Sequence, residues 1–336
     1  MNKVLAASLC SLPLLTAGVD DLGFCMLFTQ IGVNTGFVLP VRTNIPDMTN
    51  IRLFRASARS VYIGALVALF TLVAATSMAT AAPKSDLWPR WEAHDPASIM
   101  IVDHGSWSRL LGRYARPNAD GVTRFDYAGL RDADRPALDG YVAALSATPV
   151  SSLNRGEQLA YWINFYNALT VQVILDHYPT DSILDIKISP GFFSIGPWDK
   201  KLVTVEGEEL SLNDMEHRIL RPIWRDPRIH YGVNCASIGC PNLLTTAYTA
   251  DNVDGLLTEN AVAYVNHPRG ASLQNGALTV SSIYDWFEED FGGNETGILA
   301  HLRQYAKPDF REQLRLVLEI SDFDYDWSLN EVDGPS

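Results

Sequence analysis

The chain is poor in positive charge. Its 336 residues carry 26 Lys and Arg against 39 Asp and Glu, a formal net charge of -13. Nucleic acids and phospholipid surfaces are bound through clustered Lys and Arg, so neither is expected as a partner. Glycine-rich phosphate loops, a Ser-nucleophile elbow and a dinucleotide fingerprint are missing too, and no cofactor is expected. No Ser/Gly/Pro-rich linker and no internal repeat divides the chain. Cysteine is scarce, limited to Cys10, Cys25, Cys235 and Cys240. Apolar residues are plentiful: 47% hydrophobic with 19% charged is the balance of a chain that folds around a core.

The one long apolar run lies near the N-terminus. Residues 52–82, RLFRASARSVYIGALVALFTLVAATSMATAA, place three arginines before an apolar run from Val61 to Ala75 and then a small-residue tract. This is the layout of a secretory signal peptide with cleavage near Ala81 or Ala82. Met48 directly precedes the basic stretch, so the expected start is Met48 and residues 1–47 are expected to be an irrelevant extension. Uncleaved, residues 61–78 would anchor the same domain, although a spanning helix wants ~20 apolar residues. Either way the expected location is exported, periplasmic or extracellular. Residues 1–82 hold five of the basic and three of the acidic residues, which leaves 21 against 36 and a net charge of -15 for the remainder. After a short lead-in over 83–97, a single domain is expected over 98–330, followed by a tail at 331–336.

Within it, helical periodicity appears at about 105–116, 135–147, 154–177, 212–221, 251–266, 281–290 and 296–306. Strand-like segments are shorter: 201–205, turned toward 208–210, then 228–233, 277–280 and 315–327. The expected fold is α+β, mainly helical, around a buried central helix at about 157–177 with a small, mostly antiparallel sheet. That helix, EQLAYWINFYNALTVQVILDHYP, is apolar all round its axis, which a helix can be only if it is buried. Asn164 and Asn167 fall within about 60° of each other on it. Buried amides need partners, so the two either satisfy neighbouring backbone or line a site.

The segment SLNDMEHRILRPI opens with Ser211 as N-cap and Asp214 three residues on, an approximate capping box. Its apolar stripe, Leu212, Met215, Ile219 and Ile223, places Glu216 inward and His217 at the stripe's edge. A buried carboxylate is costly unless paired, so Glu216 is either an ion-pair partner or a site residue.

AYWINFYNALT, LNDMEHRILR, RIHYGVNCASIGCPNL, SSIYDWFEEDF and the terminal YDWSLN together resemble the DUF547 family, a domain of unknown function found in exported bacterial proteins and in plant proteins. The resemblance runs over about 100–330. It implies one intact domain and draws attention to Asn164, Asn167, Glu216, His217, His230 and Cys235, without implying a reaction.

The residue types support two functions. A cysteine-dependent hydrolase or acyltransferase of the cell envelope would use Cys235 as nucleophile and His217 as base, with Asn164 or Asn167 orienting the imidazole or contributing to an oxyanion hole. His230 is nearer in sequence, but five positions along a continuous strand would put it on the face opposite Cys235. Alternatively, Cys235 and Cys240 close a six-residue loop as a disulfide, stabilised by roughly 2 kcal/mol of chain entropy, and staple a noncatalytic binding domain for an unknown small molecule or peptide. Glu216, His217, His230 and Cys235 are acceptable metal-ligand types, but their spacing matches no standard site, and no metal site is expected. Asp322, Asp324 and Asp326 imitate a calcium loop with Trp327 where glycine belongs, so a half-buried strand is the better reading.

Overall fold

Asn154 starts the longest helix, Arg155–Asp176, by accepting the Glu157 amide on its side-chain oxygen at 3.0 Å. From Ala160 to Val171 every residue of this helix is buried. It is the expected central helix. Burying side chains such as Ile163, Phe165 and Leu169 contributes about 2 kcal/mol each. The computed structural model describes residues 83–191 and 195–332. The proposed signal or anchor segment, residues 1–47, Cys10 and Cys25 lie outside the described residues.

Helix Arg135–Ser146 packs beside the central helix and is itself packed by Gly105–Tyr114, and Val253–Val265 meets the central helix further along the chain. Strands are short. β1 (Ala115–Pro117) pairs antiparallel with β2 (Thr123–Phe125), and β3 (Val203–Val205) pairs antiparallel with β4 (Glu208–Leu210). β5 (Ala271–Gln274) pairs antiparallel with β6 (Ala277–Ser281), which takes β7 (Asp322–Asp324) as a parallel neighbour. The fold is thus mainly helical α+β, with three small sheets among the described residues in place of the single sheet expected.

Buried apolar residues form two clusters. The first holds Trp91, Trp107 and most of the central helix, and the second gathers Tyr231, Tyr264, Tyr284, Phe291 and Leu302. Both are reached by the short helix Ile229–Gly232, which gives Ile229 to the first and Tyr231 to the second.

This helix corrects the expected strand at 228–233. Asp226 accepts the Arg228 amide at 2.9 Å on its side chain and the Ile229 amide at 3.1 Å on its carbonyl, which turns the chain into a helix. Its signal was Asp226-Pro227, a capping residue followed by the residue best suited to a first turn. Two further segments differ from expectation. Residues 281–290 break into a helix over Ile283–Trp286 and a 3-10 turn over Glu288–Phe291. Of 315–327 only Asp322–Asp324 is strand.

The helix expected at 212–221 forms with an uncommon pitch: Asp214–Leu220 is a π-helix, continued as α-helix over Arg221–Trp224. Its start is the expected box, the Ser211 amide donating to Asp214 Oδ2 at 2.8 Å and the Asp214 amide to Ser211 Oγ at 3.1 Å. Lys201 and Arg218 also pair with Asp214. The wider turn of a π-helix brings consecutive residues inside together, and Glu216 and His217 are both buried.

Candidate functional site

The two central-helix amides are spent on backbone. Asn164 donates to the Tyr248 carbonyl at 2.8 Å and accepts the Tyr248 amide at 3.0 Å. Asn167 donates to the Gly232 carbonyl at 2.9 Å and accepts the Asn234 amide at 2.8 Å. Each thereby ties the helix to a loop that has no regular partner of its own, with both ends of the amide used. Neither is free to orient an imidazole or to stabilise an oxyanion, which corrects the role drawn for them in the catalytic arrangement.

The π-helix carries the second group of residues. His230 is fully enclosed, its Nε2 donating to Asp290 Oδ2 at 2.7 Å and its Nδ1 facing Glu216 Oε1 at 3.5 Å. Both ring nitrogens face carboxylates, an arrangement that favours the protonated ring. Burial alone would lower its pKa, but the Asp290 and Glu216 partners outweigh that and raise it. Burial would likewise raise the two carboxyls. For Glu216, His217, which becomes charged only in acid, together with the hydrogen bond and charge of His230 and the charge of Arg221, holds the pKa at about 2 instead. For Asp290 the hydrogen bonds from His230 and Arg221 do the same, again to about 2.

His217 is different. Arg221, which can only donate, points Nη1 at His217 Nδ1 at 3.1 Å, so that nitrogen carries no proton. Burial together with the Arg221 guanidinium keeps the imidazole neutral, with its pKa lowered to about 4 despite the Glu216 carboxylate. Phe287 packs on both histidine rings, stacked on His230 at 4.2 Å and tilted against His217 at 5.6 Å. Arg221 closes the group with bonds to Asp290, Glu289 at 2.7 Å and the Pro83 carbonyl at 2.8 Å. Arg221, Asp290, Glu289, Arg225, Ser85 and Leu87 border a cleft of about 410 Å³.

The thiols form a third group. Asn234 shapes their loop by donating to the Pro241 carbonyl at 2.7 Å and accepting the Ala236 amide at 2.9 Å. Ala236 takes a left-handed φ of 61°, and the Cys235 amide then donates to Cys240 Sγ at 2.9 Å. Cys235 and Cys240 are free thiols, the first half-buried and the second buried, so the expected staple is open in this structure. Cys235 Sγ lies 3.0 Å from the Tyr325 hydroxyl and 3.2 Å from Ser237 Oγ, which themselves bond at 2.8 Å. Burial would raise both thiols. Bonds from the Cys235 thiol, the Tyr325 hydroxyl and the Cys235 amide nevertheless bring Cys240 down to about 7, and the proton left on Cys235 is held well above its ordinary range.

The chain end closes over this loop. Ile238 donates to the Ser328 carbonyl at 2.8 Å, Gly239 to that of Asp326 at 2.8 Å, and Asn330 to that of Ala236 at 3.1 Å. Gly239 is required by this approach, because a Cβ there would lie 2.9 Å from the Asp326 backbone nitrogen and oxygen.

Among the described residues, the hydrogen-bond partners of Cys235 Sγ are Ser237 and Tyr325, and neither His217 nor His230 reaches it. Tyr166 of the central helix stands between the groups. Its pKa is raised by burial, then by the charges of Glu216, Cys235 and Cys240. The alternation that set His230 against Cys235 assumed a strand that does not form. His230 is nonetheless no base for Cys235, because both of its ring nitrogens are taken up by Asp290 and Glu216 and it does not reach the sulfur. Sequence reasoning overlooked Arg221, Asp290, Tyr166 and Tyr325. Arg221 had one available signal, its position four residues after His217 on the same helix. Among the described residues no group of His, Cys, Asp and Glu could hold a metal ion.

Residues 150–265 match the model of a family described as "Protein of unknown function, DUF547". The match holds the asparagines, Glu216, both site histidines and both thiols. It is shorter than the resemblance over about 100–330 and leaves out Asp290 and Tyr325. No curated protein and no solved structure matches the chain.

Proposed function

We propose that this chain is an exported, noncatalytic binding domain whose Cys235–Cys240 pair is a reversible staple for the loop over 235–240. The single observation that carries this reading is the consumption of Asn164 and Asn167 by backbone groups of Tyr248, Gly232 and Asn234. With those amides spent and His217 bonded to Arg221, Cys235 lacks the base and the orienting group that an acyl-transfer nucleophile needs. The thiols, in contrast, already touch through the Cys235 amide and carry the unequal proton affinities of a pair ready for disulfide exchange. An external disulfide would take two electrons and two protons from the pair and leave as two thiols.

Thiol counting by alkylation and mass spectrometry tests the staple, and a screen of thioester, ester and amide substrates with Cys235→Ser as control tests the absence of turnover. The expected result is one disulfide formed with oxidised glutathione, reversed by reductant, and no hydrolysis above the Cys235→Ser background. Turnover that disappears in Cys235→Ser overturns the noncatalytic reading in favour of a cysteine hydrolase or acyltransferase.

A further inference from the structure

Four partly exposed aromatic rings, Trp198, Trp286, Tyr325 and Trp327, converge beside the thiol loop. Trp327 is the hub: its ring centroid lies 4.6 Å from that of Tyr325, 5.4 Å from Trp286 and 5.9 Å from Trp198. Trp286 and Trp327 stack, whereas Tyr325 is inclined at 54° to both and Trp198 at 67° to Trp327, which makes a corner rather than a flat patch.

The corner is built into the backbone. At Gly196, φ is +71° and a Cβ would fall 2.0 Å from the Trp198 ring, so glycine there lets the ring fold back over its own chain. At Gly239 a Cβ would meet the Tyr325 ring at 2.9 Å. Ser182 Oγ donates to the Trp327 carbonyl at 2.7 Å, and Ser237 holds the Tyr325 hydroxyl.

Charge indicates what such a corner recognises. Each ring has an aspartate as chain neighbour: Asp199 follows Trp198, Asp285 precedes Trp286, and Asp324 and Asp326 flank Tyr325. All four aspartates are exposed, and among the described residues none of them is in an ion pair. Elsewhere arginines lie over Trp88, Trp91, Tyr114, Tyr178, Trp224, Tyr264 and Phe287, but among the described residues none lies over these four rings. The negative faces of aromatic rings attract a positive group, and the four exposed aspartates next to them in the chain add negative charge to this part of the surface and disfavour an anion.

We propose that the Trp198–Trp286–Tyr325–Trp327 corner binds a compact organic ammonium group. This deepens the binding-domain reading and rests on it, by naming the class of its ligand.

The test is titration of the purified full chain, followed by calorimetry and tryptophan fluorescence, with choline, with its neutral isostere 3,3-dimethylbutanol, and with N-acetylglucosamine trimer. Choline is expected to bind about tenfold or more tightly than the isostere and to weaken as salt rises. Asp285→Asn with Asp326→Asn, which keeps the Asp326 acceptor for the Ser328 amide, is expected to weaken choline about fivefold without changing thermal unfolding. Trp327→Ala is expected to abolish binding. No choline binding, equal binding of the neutral isostere, tighter binding of the sugar, or choline binding unchanged in the aspartate variant overturns the proposal. Its failure is separable from that of the noncatalytic reading, which is decided by turnover dependent on Cys235 in assays that contain no choline.

Discussion

The amide of Cys235 points at the sulfur of Cys240 from 2.9 Å, closer than the hydroxyls of Ser237 and Tyr325 approach Cys235 itself. A sulfur that receives a backbone amide and a neighbouring thiol carries negative charge more readily than a thiol in water. The reduced protein is therefore expected to gain thiolate absorbance near 240 nm with a midpoint at about pH 7 and an amplitude of one thiolate. Cys240→Ser removes that step. A single step at or above pH 8.5 for both thiols would show that the pair does not share its proton in this way.

Asn164 and Asn167 predict stability rather than activity. Asn167→Ala leaves the Gly232 carbonyl and the Asn234 amide unpaired inside the protein, and Asn164→Ala does the same at Tyr248. Each is expected to cost about 2–4 kcal/mol in urea unfolding. A loss below ~1 kcal/mol would mean that water replaces the amide.

Arg221, with 1% of its side chain exposed, pairs with Asp290 and Glu289. Arg221→Met strands the Asp290–His230 pair and releases the Pro83 carbonyl, at an expected cost of about 3–5 kcal/mol. Arg225→Ala, which removes an exposed guanidinium at the same cleft, is expected to change stability by less than ~0.5 kcal/mol. Equal effects in chemical denaturation would contradict the assigned network.

Acid is expected to weaken the fold early. His104, His217 and His301 are buried and each is lowered from 6.5 to about 4, chiefly by burial. Between those values the unfolded chain binds protons that the folded chain does not, so stability falls as pH drops from 6.5 toward 4, by on the order of 2 kcal/mol for each group. His230 opposes this: its raised pKa supplies stability that is present below 6.5 and lost as pH rises through its folded value. Glu216 and Asp290, held at about 2, supply stability above their ordinary range that is lost as pH falls toward 2. Three against one, the unfolding temperature should decline steadily from pH 7 to 4.5. A flat profile to pH 5 would mean that those histidines are charged in the folded state.

Much of the frame was legible because it is carried by local patterns. The all-round apolar run from Ala160 to Val171 dictates a buried helix, and Ser211 with Asp214 dictates where the next one starts. The inward position of Glu216 followed from the apolar stripe. What pairs with it did not, because His230 sits on a separate short helix and is shared with Asp290 from far along the chain, and no periodicity links either to it. RIHYGV misled for another reason: its β-branched and aromatic residues favour a strand, but Asp226 and Pro227 begin a turn of helix, and burial of Ile229 and Tyr231 in two separate clusters holds it. The thiol pairing remained open because spacing alone cannot distinguish two adjacent thiols from a disulfide.

The lock on the cysteine loop is made by the last part of the chain: Tyr325 lies 90 residues beyond Cys235, and Ser328 and Asn330 lie later still. A polypeptide made and delivered from its N-terminus presents both sulfurs to its surroundings well before those residues arrive. The loop is thus open until residues 325–330 are made, and whatever thiol state it has by then is the one they cover. For a fragment that stops at residue 265 the covering never comes, so the matched region expressed alone is expected to keep its thiols exposed and to lack the aromatic corner altogether.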